Sequence, residues 1–105
     1  MRYKSKRSND CDISPEVKRI VYERDGHRCI YCHRNNGLPN AHFIGRGQGG
    51  LGIPENIVTL CPECHEDYDN GFKREEIGNY IREYLKWKYG QNWNEKKLIY
   101  KKHHD

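Results

Sequence analysis

Apolar material is scarce in this 105-residue sequence, with 34% of residues hydrophobic and 32% charged. A core drawn from so little would supply limited stability by burial alone, so a staple is expected. No apolar run is long enough to span a membrane, and no signal peptide opens the chain. A cytoplasmic, reducing setting without membrane contact is the corresponding expectation. Internal repeats and a second-domain linker are also missing, and the length suits one domain. The cysteines lack parity: there are five, and an odd number does not close a disulfide framework.

Four of those cysteines fall into two CxxC pairs, Cys29-Ile30-Tyr31-Cys32 and Cys61-Pro62-Glu63-Cys64, separated by 28 residues. Such pairs are the spacing of a tetrahedral zinc site, each read as a tight knuckle that presents two thiolates to one ion. A redox reading would need a thioredoxin-like βαβ context, which the sequence does not offer. Zinc in a cage of four thiolates has no open position, so this ion is expected to hold the fold and not to catalyse. In small zinc peptides the binding free energy is on the order of 10 to 16 kcal/mol, enough to offset most of a thin core's deficit. The separation is wider than in the commonest zinc ribbons, so the intervening segment must fold as its own excursion. Cys11 is left over and reads as an incidental reduced thiol.

Residues 1–12 are polar and basic without apolar periodicity and read as a disordered basic arm, leaving 13–105 as a single domain. Ser14-Pro15-Glu16 is a helix start, with a capping hydroxyl, a proline at the first position and an acid at the positive end of the dipole. The helix should run over 14–25, present Val17, Ile20 and Val21 on one face, and stop at Gly26. Between the cysteine pairs, 39–44 reads as a short strand and 56–60 as a second. A loop carrying Gly45, Gly47, Gly49, Gly50 and Gly52 joins them. A helix follows Cys61 and ends at Gly71, so 37–71 forms a ββα core with the zinc at its base. A longer amphipathic helix over 73–89 carries Ile77, Tyr80, Ile81, Tyr84 and Leu85 at three-and-four spacing. Trp87, Trp93 and Tyr100 are expected to fold the tail back onto it. The fold class is small α+β, with helices flanking a zinc-stapled ββα core.

Chemistry concentrates in the excursion. His65 begins the helix beside the knuckle and Asp69 lies one turn on, so the two can share an oxygen-friendly divalent ion or simply pair with each other. His42 ends the first strand facing that helix, where an imidazole can accept a proton from water near neutral pH. Asn56 opens the second strand and can orient the His42 loop or ligate the metal. Arg46, in the glycine loop, can hold a phosphate through two parallel hydrogen bonds. The net charge of +4, with basic residues gathered at both ends, makes nucleic acid a reasonable partner.

Taken together, CxxC, His42-Phe43-Ile44-x-Arg46, the glycine loop, Asn56-Ile57-Val58-Thr59-Leu60-Cys61-x-x-Cys64-His65 and Asp69 resemble the HNH endonucleases of the ββα-metal type, in their zinc-binding variant. The likeness runs from about Cys29 to Gly71, and the basic tail is similar in flavour to small phage and prophage members. It implies His42 as the general base, His65 as a ligand of a catalytic divalent ion (Mg²⁺, Mn²⁺ or another), and Asn56 as the residue that steadies the loop. Asp69 matches a position where some members carry a second ligand. One departure stands out: many members place an Asp or His ligand just before the base, and here that residue is Ala41. The resemblance implies DNA as substrate, cut or nicked to leave 5′-phosphate and 3′-hydroxyl ends, with phage packaging or other DNA-processing proteins as partners. The rival expectation is a non-catalytic, zinc-stapled nucleic-acid-binding subunit of a larger phage or mobile-element complex. His27, His33, His103 and His104 receive no role.

Overall fold

The computed structural model describes residues 6–101. In order they form α1 (Lys6–Cys11), α2 (Pro15–Arg24), β1 (Leu38–His42), β2 (Ile57–Leu60), α3 (Pro62–Asn70) and α4 (Arg74–Tyr89), with short 3-10 turns in the loop before β2 and in the tail. The strands pair antiparallel into a two-stranded sheet. Two strands cannot shield an apolar face by themselves. Here α2 packs against both strands, α3 against β2, and α4 against α3.

Local chemistry explains the helix boundaries. The Ser14 hydroxyl accepts a hydrogen bond from the Val17 amide and Pro15 occupies the first turn of α2. At its far end Gly26 adopts a left-handed φ of 74°, which glycine tolerates without a Cβ clash. Cys61 caps α3 through its sulfur, which accepts from the Cys64 amide. The buried stripe of α4 is Ile77, Ile81 and Leu85, while Tyr80 on the same helix is exposed. Together with Ile57, Val58, Leu60 and Leu98 these form the core, each side chain contributing about 1.5 to 3 kcal/mol of burial.

A polar network ties the helices to the sheet. Buried Asp25 accepts from the Arg24 guanidinium, the Tyr84 hydroxyl and the Thr59 amide. Arg24 in turn donates to the carbonyls of Pro54 and Ile57. A buried ion pair of this kind is tolerated only when its remaining donors and acceptors are satisfied, as they are here by backbone groups on the loop and β2.

The sheet register is irregular at one point. Leu38 pairs with Leu60, yet Ala41 pairs with Val58 and His42 with Ile57. Three steps on β1, from 38 to 41, therefore match two on β2, from 60 to 58, and the extra residue makes a β-bulge at Pro39–Asn40. Pro39 has no amide hydrogen to give to a ladder, which suits it to this position.

Several expectations need adjusting. Residues 6–11 of the expected disordered arm form a helix, and Cys11 at its end is 2% exposed. The helix is held because the Gly52 amide donates to the Asp10 carbonyl, and a Cβ on Gly52 would lie 2.0 Å from the Asp12 carbonyl oxygen. The head of the arm, with Arg2 and Lys4, and the tail from Lys102 onward lie outside the described residues. The first strand starts one residue early and ends two residues early, at Leu38–His42, because the chain turns after His42. Asn56 belongs to a 3-10 turn just before β2. On α2 only Val21 is buried and Ile20 faces solvent. Trp93 folds back, its indole donating to the Glu55 carbonyl. Trp87 stays exposed, beneath the Lys88 ammonium. The Tyr100 amide donates to the Gly49 carbonyl and Glu95 pairs with Arg82 of α4, so the tail closes over both the glycine loop and α4.

Candidate functional site

The two knuckles meet at the base of the hairpin. One sulfur from each of Cys29, Cys32, Cys61 and Cys64 lies within 4.8 Å of all the others. A tetrahedral shell with Zn–S bonds of about 2.3 Å sets its sulfurs roughly 3.8 Å apart, so small adjustments would close the cluster on one ion. The amides of Cys32 and Cys64 each donate to the first sulfur of their own pair, bonds that favour thiolate and orient the ligands. Three of the four cysteines are buried. The donor chemistry fits zinc. Among the described residues this is the only group of three or more His, Cys, Asp or Glu side chains arranged to hold one ion.

A separate cleft of about 770 Å³ opens between β1, the glycine loop and α3, and its lining includes Asn40, His42, Arg46, His65 and Asp69. Four of the residues singled out from sequence are thus brought together: His42 from the strand, Arg46 from the loop, His65 and Asp69 from the helix. Lys18 on α2 adds a cation at the rim. The cleft carries donors suited to a phosphate and acceptors suited to a cation within one space.

His42 is half-buried, and its Nε2 lies 2.8 Å from the carbonyl oxygen of Cys11. A carbonyl can only accept, so Nε2 carries the hydrogen and the neutral ring keeps its lone pair on Nδ1. Burial lowers the pKa of His42 below the ordinary histidine value, helped by the nearby Arg46 and His65 charges and opposed by the Cys11 carbonyl and Asp69. The ring is therefore neutral at pH 7. The carbonyl that fixes it comes from α1, a segment with no sequence pattern pointing to such a role.

Asn56 does not line the cleft. It is fully buried behind it, where its Oδ1 accepts from the Ile44 amide at 2.8 Å and its Nδ2 donates to the carbonyls of Ile44 and Leu51. The side chain thereby pins both ends of the loop that follows His42, and the orienting alternative read from sequence is the one the geometry allows. Gly50 makes this possible: a Cβ there would lie 1.6 Å from the Ile44 carbonyl oxygen and 3.0 Å from Asn56 Nδ2. Arg46 is exposed and bonded at 2.5 Å to Asp12, which holds the guanidinium over the cleft.

On α3, His65 Nε2 and Asp69 Oδ2 are 3.1 Å apart, with their side chains 28% and 50% exposed. Two ligands at right angles around an ion with bonds of about 2.1 Å sit roughly 3 Å from each other, so the pair fits a divalent ion without rearrangement. The same distance also makes an ordinary ion pair. Ala41, the residue just before His42, is fully buried in the hydrophobic core and is not among the residues lining the cleft. Asn40, beside it, does line the cleft, and its Oδ1 is buried without a hydrogen-bond partner. Asn40 was missed in sequence; its position two residues before His42 on a strand was the available signal, since alternate residues share a face.

A profile of one family, HNH endonuclease, matches residues 29–71. Anaredoxin from Nostoc sp. is 32% identical over 57 residues, which make up 53% of this chain and 75% of that protein.

Proposed function

The chain belongs to the HNH endonuclease family, and on that premise we propose that it is a metal-dependent DNA endonuclease that hydrolyses phosphodiester bonds with His42 as general base. The observation that carries this reading is the fixed tautomer of His42, whose proton-accepting Nδ1 belongs to a ring that lines the same cleft as His65 and Asp69. Water loses a proton to Nδ1 as its oxygen attacks phosphorus, and the bond to the 3′ oxygen breaks, that oxygen taking a proton from solvent water to leave 5′-phosphate and 3′-hydroxyl ends. His65 and Asp69 would hold a Mg²⁺, Mn²⁺ or similar ion, which would supply positive charge against the negative charge that develops on the phosphoryl and leaving oxygens. Arg46 and Lys18 hold the DNA backbone at the mouth of the cleft. Asn56 acts through the loop and touches no reacting atom. The four thiolates hold structural zinc and keep β1 and α3 in register.

The burial of Ala41 favours a second reading, in which a family member short of one ligand binds DNA without cutting it. A supercoiled plasmid incubated with Mg²⁺ or Mn²⁺ separates the two. Wild type should nick or linearise it, and His42→Ala should be slower by about 10²- to 10⁴-fold with an unchanged melting temperature. Equal and complete inactivity of both proteins, with both still binding the plasmid, would leave only the non-catalytic reading.

A further inference from the structure

Strand alternation decides which residues of β1 reach the cleft. Ala41 pairs with Val58 and is turned into the core, while Asn40, at the bulge, and His42 line the cleft. Asn40 also borders a smaller hollow lined by His65 and Asp69, so it shares two hollows with that pair. Its Oδ1 has less than 1 Å² of exposed area and no hydrogen-bond partner. A buried amide oxygen in that state has lost its water without gaining a donor. Thr59, across the bulge from Asn40, has a hydroxyl oxygen in the same condition, but that residue is fully buried and lines no cleft. Of the two unpartnered oxygens, only that of Asn40 can meet a ligand.

We propose that Asn40 Oδ1 is a ligand of the divalent ion, joining His65 and Asp69 to give a set of one nitrogen and two oxygens. The inference rests on the reading of His65 and Asp69 as a metal pair. Amide oxygens are ordinary ligands for hard divalent cations, and a neutral one adds a donor without adding charge. The resulting set carries a single negative charge, which leaves the ion electrophilic toward a phosphate and keeps positions open for water and substrate. It also accords with Ala41: alternation turns that residue into the core, and Asn40, on the same face as His42, is the strand neighbour that lines the cleft.

The test measures Mn²⁺ binding to the full-length, zinc-loaded protein without DNA, by loss of the free-ion electron paramagnetic resonance signal. Wild type should bind one Mn²⁺ and His65→Ala should abolish it. Asn40→Ala should weaken affinity by roughly 10- to 100-fold, with unchanged melting in the absence of Mn²⁺. Asn40→Asp, which keeps an oxygen in place and adds charge, should bind more tightly than wild type. If wild type and His65→Ala bind Mn²⁺ equally or not at all, the metal pair itself is wrong and this inference goes with it. If His65→Ala loses the ion while Asn40→Ala keeps wild-type affinity, the metal pair stands and Asn40 is not a ligand. Should Asn40→Ala not fold, Asn40→Asp decides alone, since unchanged or weaker binding overturns the proposal.

Discussion

The four-cysteine cluster and the cleft share one hairpin and one helix, and they are built on opposite terms. In the cluster the chain supplies every donor, three of the four residues are buried, and backbone amides already point at the sulfurs. In the cleft His65 and Asp69 are partly exposed, and their neighbours include two cations and an unpartnered amide oxygen. A site that holds structure closes its coordination with protein, whereas a site that works on a substrate must leave room for it. One short ββα unit carries both because α3 supplies Cys64 to the cluster and, from the next residue on, His65 and Asp69 to the cleft.

That contrast can be broken most severely at the cluster. Cys29→Ser with Cys61→Ser should leave a chain without cooperative thermal unfolding, because a core this small does not replace a metal staple; a native-like melting transition in the presence of chelator would show that the cluster is dispensable. Asn56→Ala comes next, leaving buried backbone groups at Ile44 and Leu51 unpaired at a cost of roughly 2 to 4 kcal/mol. Chemical denaturation should register that loss, and plasmid cleavage should fall with it while the zinc content stays constant. The third probe is pH. Because the pKa of His42 is lowered, the neutral base persists at pH 6.5 and cleavage declines about tenfold per unit only once pH drops through that lowered value. A decline that begins well above pH 7 would point to a different base. The smallest effect belongs to Asp12→Ala, which removes one partner of Arg46. Its half-exposed ion pair should cost no more than about 1 kcal/mol of stability, measured by melting, while weakening DNA binding severalfold in a gel-shift titration.

The parts of this molecule that obey local rules were readable from sequence. Ser14 and Pro15 announce a helix, the CxxC spacing announces a metal, and Ile77, Ile81 and Leu85 announce a buried stripe. His42, Arg46, His65 and Asp69 were also legible as a group, since their order and spacing carry the chemistry. What escaped depends on long-range contact. Helix α1 looks like a polar tail because its six residues have no apolar periodicity; its structure comes from the glycine loop it rests on, some forty residues away in sequence. Asn40 shares the face of His42 by strand alternation, but nothing local shows that its amide oxygen is left buried without a partner. Trp87 departs from expectation for a related reason: its place on the helix turns it to solvent, where it is 74% exposed.

The carbonyl of Cys11 separates the extent of the motif from the extent of the machine. A fragment spanning residues 29–71, the part that matches the family, would retain all four thiolates, His42, Asn56, His65 and Asp69. Its imidazole, however, would have no partner on Nε2. The proton could then sit on either nitrogen and the ring could turn, so only a fraction of molecules would present an acceptor to the cleft at any instant. Such a fragment could bind both metals and still be a poor catalyst. The contact that fixes His42 comes from upstream of the matched residues, at the end of a short helix they do not include.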